Sequence, residues 1–110
     1  MTASPEAFMA YEHLKESLTR SNLWIYILAT LESGPASPGE IKKKVQSRYG
    51  FSPAKITFYT VLYKLRKEGL VARASRAFRS AYELTSAGRA ELSRAGELLD
   101  EVRKGLGQSQ

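Results

Sequence analysis

Lys55-Ile56-Thr57-Phe58-Tyr59-Thr60-Val61-Leu62-Tyr63-Lys64-Leu65-Arg66-Lys67-Glu68-Gly69-Leu70-Val71 is the stretch that decides how the whole chain is read. Phe58, Val61, Leu62 and Leu65 recur three and four residues apart, which places them on one face of an α-helix. That is the expected core face. Ile56, Tyr59, Thr60, Tyr63 and Lys67 fall on the opposite face, which is too apolar for one that meets only water. Ser52-Pro53 stands before the stretch as a helix-start signal and Gly69 stands near its end as a stop, so a helix is predicted from Pro53 to Glu68.

Beyond Gly69 the helical period is lost. Leu70 to Ala74 and Ser80 to Leu84 are short enough for strands, and Ser75-Arg76-Ala77-Phe78-Arg79 between them reads as the basic tip of a hairpin. Upstream, Ser37-Pro38-Gly39-Glu40 is a capping box that opens a second helix over 38–48, with Ile41 and Val45 on one face and Gly50 as its stop. Ser4-Pro5 opens a helical region over 5–33, which Ser21-Asn22 either breaks or recaps. Leu23 to Leu31 is apolar all round, as in a buried helix, and Gly34-Pro35 ends it. Thr85 or Ser86 caps a last helix that runs to about Gly105. The expected fold is mainly α with a small β-hairpin: a winged helix-turn-helix with flanking N- and C-terminal helices. The 110 residues suit one such domain, with the helix-turn-helix and wing over 37–84 and a dimerisation helix over 86–105.

The net charge of +6 is unevenly placed. Residues 1–34 carry two basic and four acidic side chains, 35–84 carry eleven and three, and 85–110 carry four and four. A polyanion should therefore meet the middle segment. The sequence has no cysteine, so no disulfide framework is expected, and a cytoplasmic, nucleoid-associated protein is the plain expectation. No signal peptide is read at the N-terminus, and the apolar run of 23–31 is too short to span a membrane.

Two helices joined by a short turn and followed by a basic hairpin suit a DNA duplex, with the second helix of the pair in the major groove. Lys55, Ile56, Thr57, Tyr59, Thr60, Tyr63 and Lys64 are the candidates on that helix. Lysine and tyrosine suit phosphates, while threonine and Ile56 can meet base edges or thymine methyls. Arg73, Arg76 and Arg79 of the wing suit a narrow, electronegative minor groove. Lys42 and Lys43 of the preceding helix complete the basic surface. Each of these residues taken singly is as readily a solvated surface position; their convergence on one helix and one hairpin favours DNA.

The stretch 56–71 resembles the recognition-helix signature of PadR-like regulators, in Thr57, Tyr59, Leu62, Leu65, Glu68, Gly69, Leu70 and Val71. Tyr82, Leu84, Thr85, Gly88 and Arg89 resemble the family's segment after the wing, and Gly34-Pro35 and Glu40-Ile41 its approach to the second helix. The resemblance covers about residues 23–95. It implies a homodimeric winged-helix repressor joined through its C-terminal helix, with Tyr59 on a phosphate and Thr57 near the groove. The family usually has proline where Thr60 stands here, and this chain reads Pro38-Gly39 where the family has a Gly-Tyr pair. It would be a short-form member with an added N-terminal helix.

Leu92, Ala95, Leu99, Val102 and Leu106 are spaced three and four apart, a seam two heptads long. It can serve a dimer interface or pack on the chain's own first helix. The expected partners are double-stranded DNA and a second copy, with a small-molecule effector of unknown identity and no membrane. Trp24 is expected in the core, an effector pocket near the dimer interface being the other reading. No cofactor is expected. His13 is the single histidine, Glu97, Asp100 and Glu101 read as a solvated face, and no phosphate-cradling glycine loop is present, so enzymatic chemistry is not expected. Two further readings remain: a winged helix used for protein–protein contact, and a non-specific chromosomal DNA binder.

Overall fold

A computed structural model of the chain describes residues 5–74 and 80–107, the first four of these by backbone alone. Helix α1 (Pro5–Leu18) leads through a 3-10 turn (Arg20–Asn22) into α2 (Leu23–Leu31). Helices α3 (Pro38–Tyr49) and α4 (Lys55–Lys67) follow, then strands β1 (Val71–Arg73) and β2 (Tyr82–Leu84), then the long α5 (Ser86–Leu106). The strands pair antiparallel, Val71 opposite Leu84 and Arg73 opposite Tyr82. This is a mostly helical chain with a small hairpin, a winged helix.

Helix α2 is the centre of the molecule. Leu23, Ile27, Leu28 and Leu31 are buried in one cluster with Ile41 and Val45 of α3, Phe58, Leu62 and Leu65 of α4, and Val71 and Leu84 of the hairpin. Its one buried polar side chain, Thr30, donates its hydroxyl to the Tyr26 carbonyl at 2.8 Å. Among the described residues, no buried polar side-chain atom is left unpaired.

The capping signals are realised unevenly. At α3 the box is complete: Ser37 Oγ accepts from the Glu40 N–H at 3.2 Å, and the Ser37 N–H donates to Glu40 Oε1 at 2.8 Å. The Ser37 backbone N–H foremost, and then the Ser37 side chain, hold the Glu40 carboxyl below the usual carboxylate range. Gly50 and Gly69 close α3 and α4 with φ of +79°, the left-handed geometry that glycine enters freely. The Ser52-Pro53 signal lies two residues early. Helix α4 begins at Lys55, its N-cap is Ala54, and no side chain caps it. Pro53 is buried instead, so packing placed the start. Asn22 breaks the first helical region without recapping it. Its amide donates to the Ser17 carbonyl and accepts from Trp24 Nε1 at 3.3 Å.

A third extended segment is absent from the sequence reading. Ala36, just after Gly34-Pro35, exchanges both backbone hydrogen bonds with Tyr82, at 3.0 and 2.9 Å. It fastens the turn before α3 to the hairpin. Thr85 is the cap of α5, accepting from the Gly88 N–H at 3.0 Å and donating to the Gly69 carbonyl at 2.6 Å. At Gly88, α5 crosses so close to the chain that a Cβ would stand 2.1 Å from the Leu70 carbonyl oxygen. One threonine and one glycine thereby set the angle at which α5 leaves the core.

Candidate nucleic-acid interface

The surface is built on α4. Burial of Phe58, Leu62 and Leu65 fixes the helix against α2, so the opposite face must point outward. Ile56, Tyr59 and Tyr63 on that face are 81%, 46% and 60% exposed. Together with Lys55 and Thr60 they line one shallow depression of about 440 Å³. Tyr59 stands edge-to-face on Phe58, ring centres 5.3 Å apart, and Lys67 Nζ lies 5.9 Å from the Tyr63 ring centre. The core thus steadies one wall of the depression through Tyr59, and the Lys67 cation lies against the ring of Tyr63.

The other candidates surround this strip without joining it. Thr57 turns to a flank, where it borders a groove with Arg20, Ser21 and Ser52. Lys64, seven residues on and so on the same flank, lies nearer the C-terminal end of α4. There it borders a cleft of about 340 Å³ with Trp24, Val61, Glu68 and Glu91. On α3, Lys43 is exposed and Lys42 half-buried. Arg73 is exposed on β1, its guanidinium 5.6 Å from the Tyr82 ring centre. Arg76 and Arg79 lie outside the described residues.

Sequence reading missed Arg20, because it falls in the acidic N-terminal segment. The fold brings it to the mouth of the groove before α4, paired with Glu16 at 3.3 Å and stacked 5.8 Å from the Phe51 ring centre. Phe51 in turn touches Tyr26, whose ring also meets Tyr49 at 4.8 Å. Burial, and then Tyr49 beside it, push the Tyr26 pKa up. Its protonated hydroxyl donates to the Leu18 carbonyl and ties α1 to α2.

Residues 27–94 match the Transcriptional regulator PadR-like family. The chain belongs to this family. The PadR match runs from the middle of α2 into the first half of α5, so it includes the helix-turn-helix, the hairpin and the Gly88 crossing. The fold is similar to a transcriptional regulator from Clostridium thermocellum, with a TM-score of 0.68 at 18% identity over 97% of both chains. It is also similar to a PadR family transcription regulator from Clostridium difficile, with a TM-score of 0.66 at 23% identity, covering 77% of this chain and 94% of that one. No curated protein sequence matches the chain. As a member of this family the protein is a DNA-binding transcription regulator and not an enzyme.

The seam residues of α5 divide. Leu92 is partly buried against the core cluster and Ala95 is half-buried. Leu99, Val102 and Leu106 are exposed, and so is Leu98, which the heptad reading left out. Met9, Tyr11, Leu14 and Leu18 of α1 are exposed as well, so α1 does not cover the outer part of α5. Trp24 is only partly buried; it packs against the core on one side and borders the cleft on the other. No described helix is long and apolar enough to cross a membrane.

Proposed function

We propose that the protein is a homodimeric repressor that binds a pseudo-palindromic DNA operator in a sequence-specific way, acting on the nucleoid in the cytoplasm. The observation that carries this reading is the exposed strip of Ile56, Tyr59, Thr60 and Tyr63, directly opposite the buried face of α4 and with Lys55 at its edge. Helix α4 enters the major groove. Tyr59, Tyr63, Lys55 and Lys64 meet phosphates, Thr57 and Ile56 approach base edges, and Lys42 and Lys43 add charge from α3. Arg73, Arg76 and Arg79 of the wing meet the neighbouring minor groove. The outer part of α5, through Leu99, Val102 and Leu106, joins two protomers and sets the distance between their α4 helices. Leu92 and Ala95 hold the root of that interface.

Fluorescence anisotropy against the chain's own upstream DNA and a scrambled duplex, titrated with salt, tests this reading. Preference for the upstream DNA by about a thousandfold or more at physiological salt supports an autoregulating specific repressor. Equal affinities that collapse together as salt rises leave a general DNA coater or a regulator whose operator lies elsewhere. No binding to either duplex would leave a protein-contact role. Replacing both Arg76 and Arg79 by alanine should weaken binding to every duplex and lower the salt slope by about one for each phosphate that is no longer neutralised. An unchanged slope removes those two residues from the interface.

A further inference from the structure

Ile56 has a place that nothing inside the molecule explains. It is the second residue of α4, 81% exposed, and no part of the core cluster. An isolated apolar side chain on a surface is ordinary. Here it is one wall of an apolar depression shared with Tyr59, Thr60 and Tyr63, and Tyr59 is held in position by the buried Phe58.

Resting on the reading that α4 occupies the major groove, we propose that Ile56 reads the C5-methyl group of thymine, so that each operator half-site carries a thymine at the base step facing the start of α4. Among the edges of the four bases in the major groove, the thymine methyl is the one apolar group of any size; cytosine shows only a C5–H in its place, and the nitrogen and oxygen atoms displayed there donate or accept hydrogen bonds. Ile56 has nothing to donate or accept with beyond its backbone. Its place in the first turn is where recognition helices reach bases rather than phosphates. Lys55 beside it and Lys64 and Lys67 further along supply the cations that hold the duplex against the strip.

The test begins with enrichment of tight-binding duplexes from a random library by the full-length protein. The best duplex is then remade with deoxyuridine in place of one symmetric pair of thymidines at a time, and the pair whose replacement costs most is kept; this removes one methyl group per half-site and leaves all hydrogen-bonding edges intact. Losing one buried methyl should weaken binding about fourfold per half-site, or roughly fifteenfold for a symmetric dimer. Ile56→Ala should bind the two duplexes alike, and Ile56→Val should keep part of the preference. Thermal melting checks that both variants are folded. Two results would overturn the inference and leave a specific regulator standing: wild-type protein indifferent to deoxyuridine, or Ile56→Ala retaining the full preference for thymine. Failure to enrich any sequence would instead remove the sequence-specific reading, and this inference with it.

Discussion

Leu23, Ile27, Leu28 and Leu31 of α2 are all buried, whereas Leu98, Leu99, Val102 and Leu106 of α5 are 43–78% exposed. Both sets recur with helical spacing. The difference lies in what stands opposite. Helix α2 is enclosed by α3, α4, the hairpin and the inner part of α5, while the outer part of α5 extends past them in a molecule 60 Å long and 23 Å thick. Amphipathic spacing says that a face needs cover. It does not say whether the cover comes from the same chain or from another.

Five substitutions, the last of them followed across a pH series, would break or sharpen that contrast. The largest effect is expected for Phe58→Ala. Phe58 is fully buried, and its truncation should cost about 3–5 kcal/mol by denaturant unfolding. A cost below about 1 kcal/mol would mean that α4 is not held by the core as described.

Leu99→Glu should act on association rather than on the protomer. A carboxylate in the apolar seam should weaken dimerisation by at least about thirtyfold, the scale of an interface hot spot, and each dimer carries the change twice. Sedimentation across a concentration series reads this directly. An unaffected dimer would move the interface off the outer part of α5.

Two of the three glycines of α5, Gly88 and Gly96, make the same contrast within one helix. Gly88→Ala drives a methyl into the Leu70 carbonyl and should destabilise by roughly 1–3 kcal/mol. At Gly96 a Cβ would meet nothing within 4 Å, so Gly96→Ala should stabilise the isolated protomer by about 0.5–1 kcal/mol through helix propensity. Should Gly96→Ala weaken the dimer instead, the partner's backbone must pass close to that position.

The smallest effect concerns the α3 cap. The folded pKa of Glu40 lies below its unfolded value. Its charge therefore adds stability above the ordinary carboxylate range, and the gain is lost as pH falls through the depressed value. Glu40→Gln keeps a capping acceptor and removes the charge. Its melting temperature should fall slightly below wild type at neutral pH and converge with it in acid. A gap that persisted at low pH would assign the effect to hydrogen-bond geometry rather than charge.

Much of the fold was legible because each element carries its own local signal. The Ser37–Glu40 box, Gly50, Gly69 and the 58–62–65 face of α4 all act within a few residues of chain. Readings failed where the deciding contact is distant in sequence. Ser52-Pro53 has the composition of a helix start, yet Pro53 is buried and α4 opens at Lys55. Ala36 joins the hairpin through Tyr82, forty-six residues away, and no pattern near Ala36 announces it. Of the candidate interface, the strip from Lys55 to Tyr63 was readable because the helical period alone puts those residues on one side. Arg20 was not, since its position beside α4 depends on the aromatic contacts of Tyr26, Tyr49 and Phe51.

By itself, then, the sequence determined the helices, the hairpin, the basic middle segment and the two faces of α4, because helix period, capping chemistry and charge are local properties. Tertiary structure alone decided that Thr57 and Lys64, on one flank of α4, border two separate grooves, that Arg20 reaches the groove before α4, and that α5 leaves the core at the Gly88–Leu70 crossing with its outer leucines uncovered. Those outcomes depend on how separate elements exclude one another's volume, which the spacing of residues along one element does not encode.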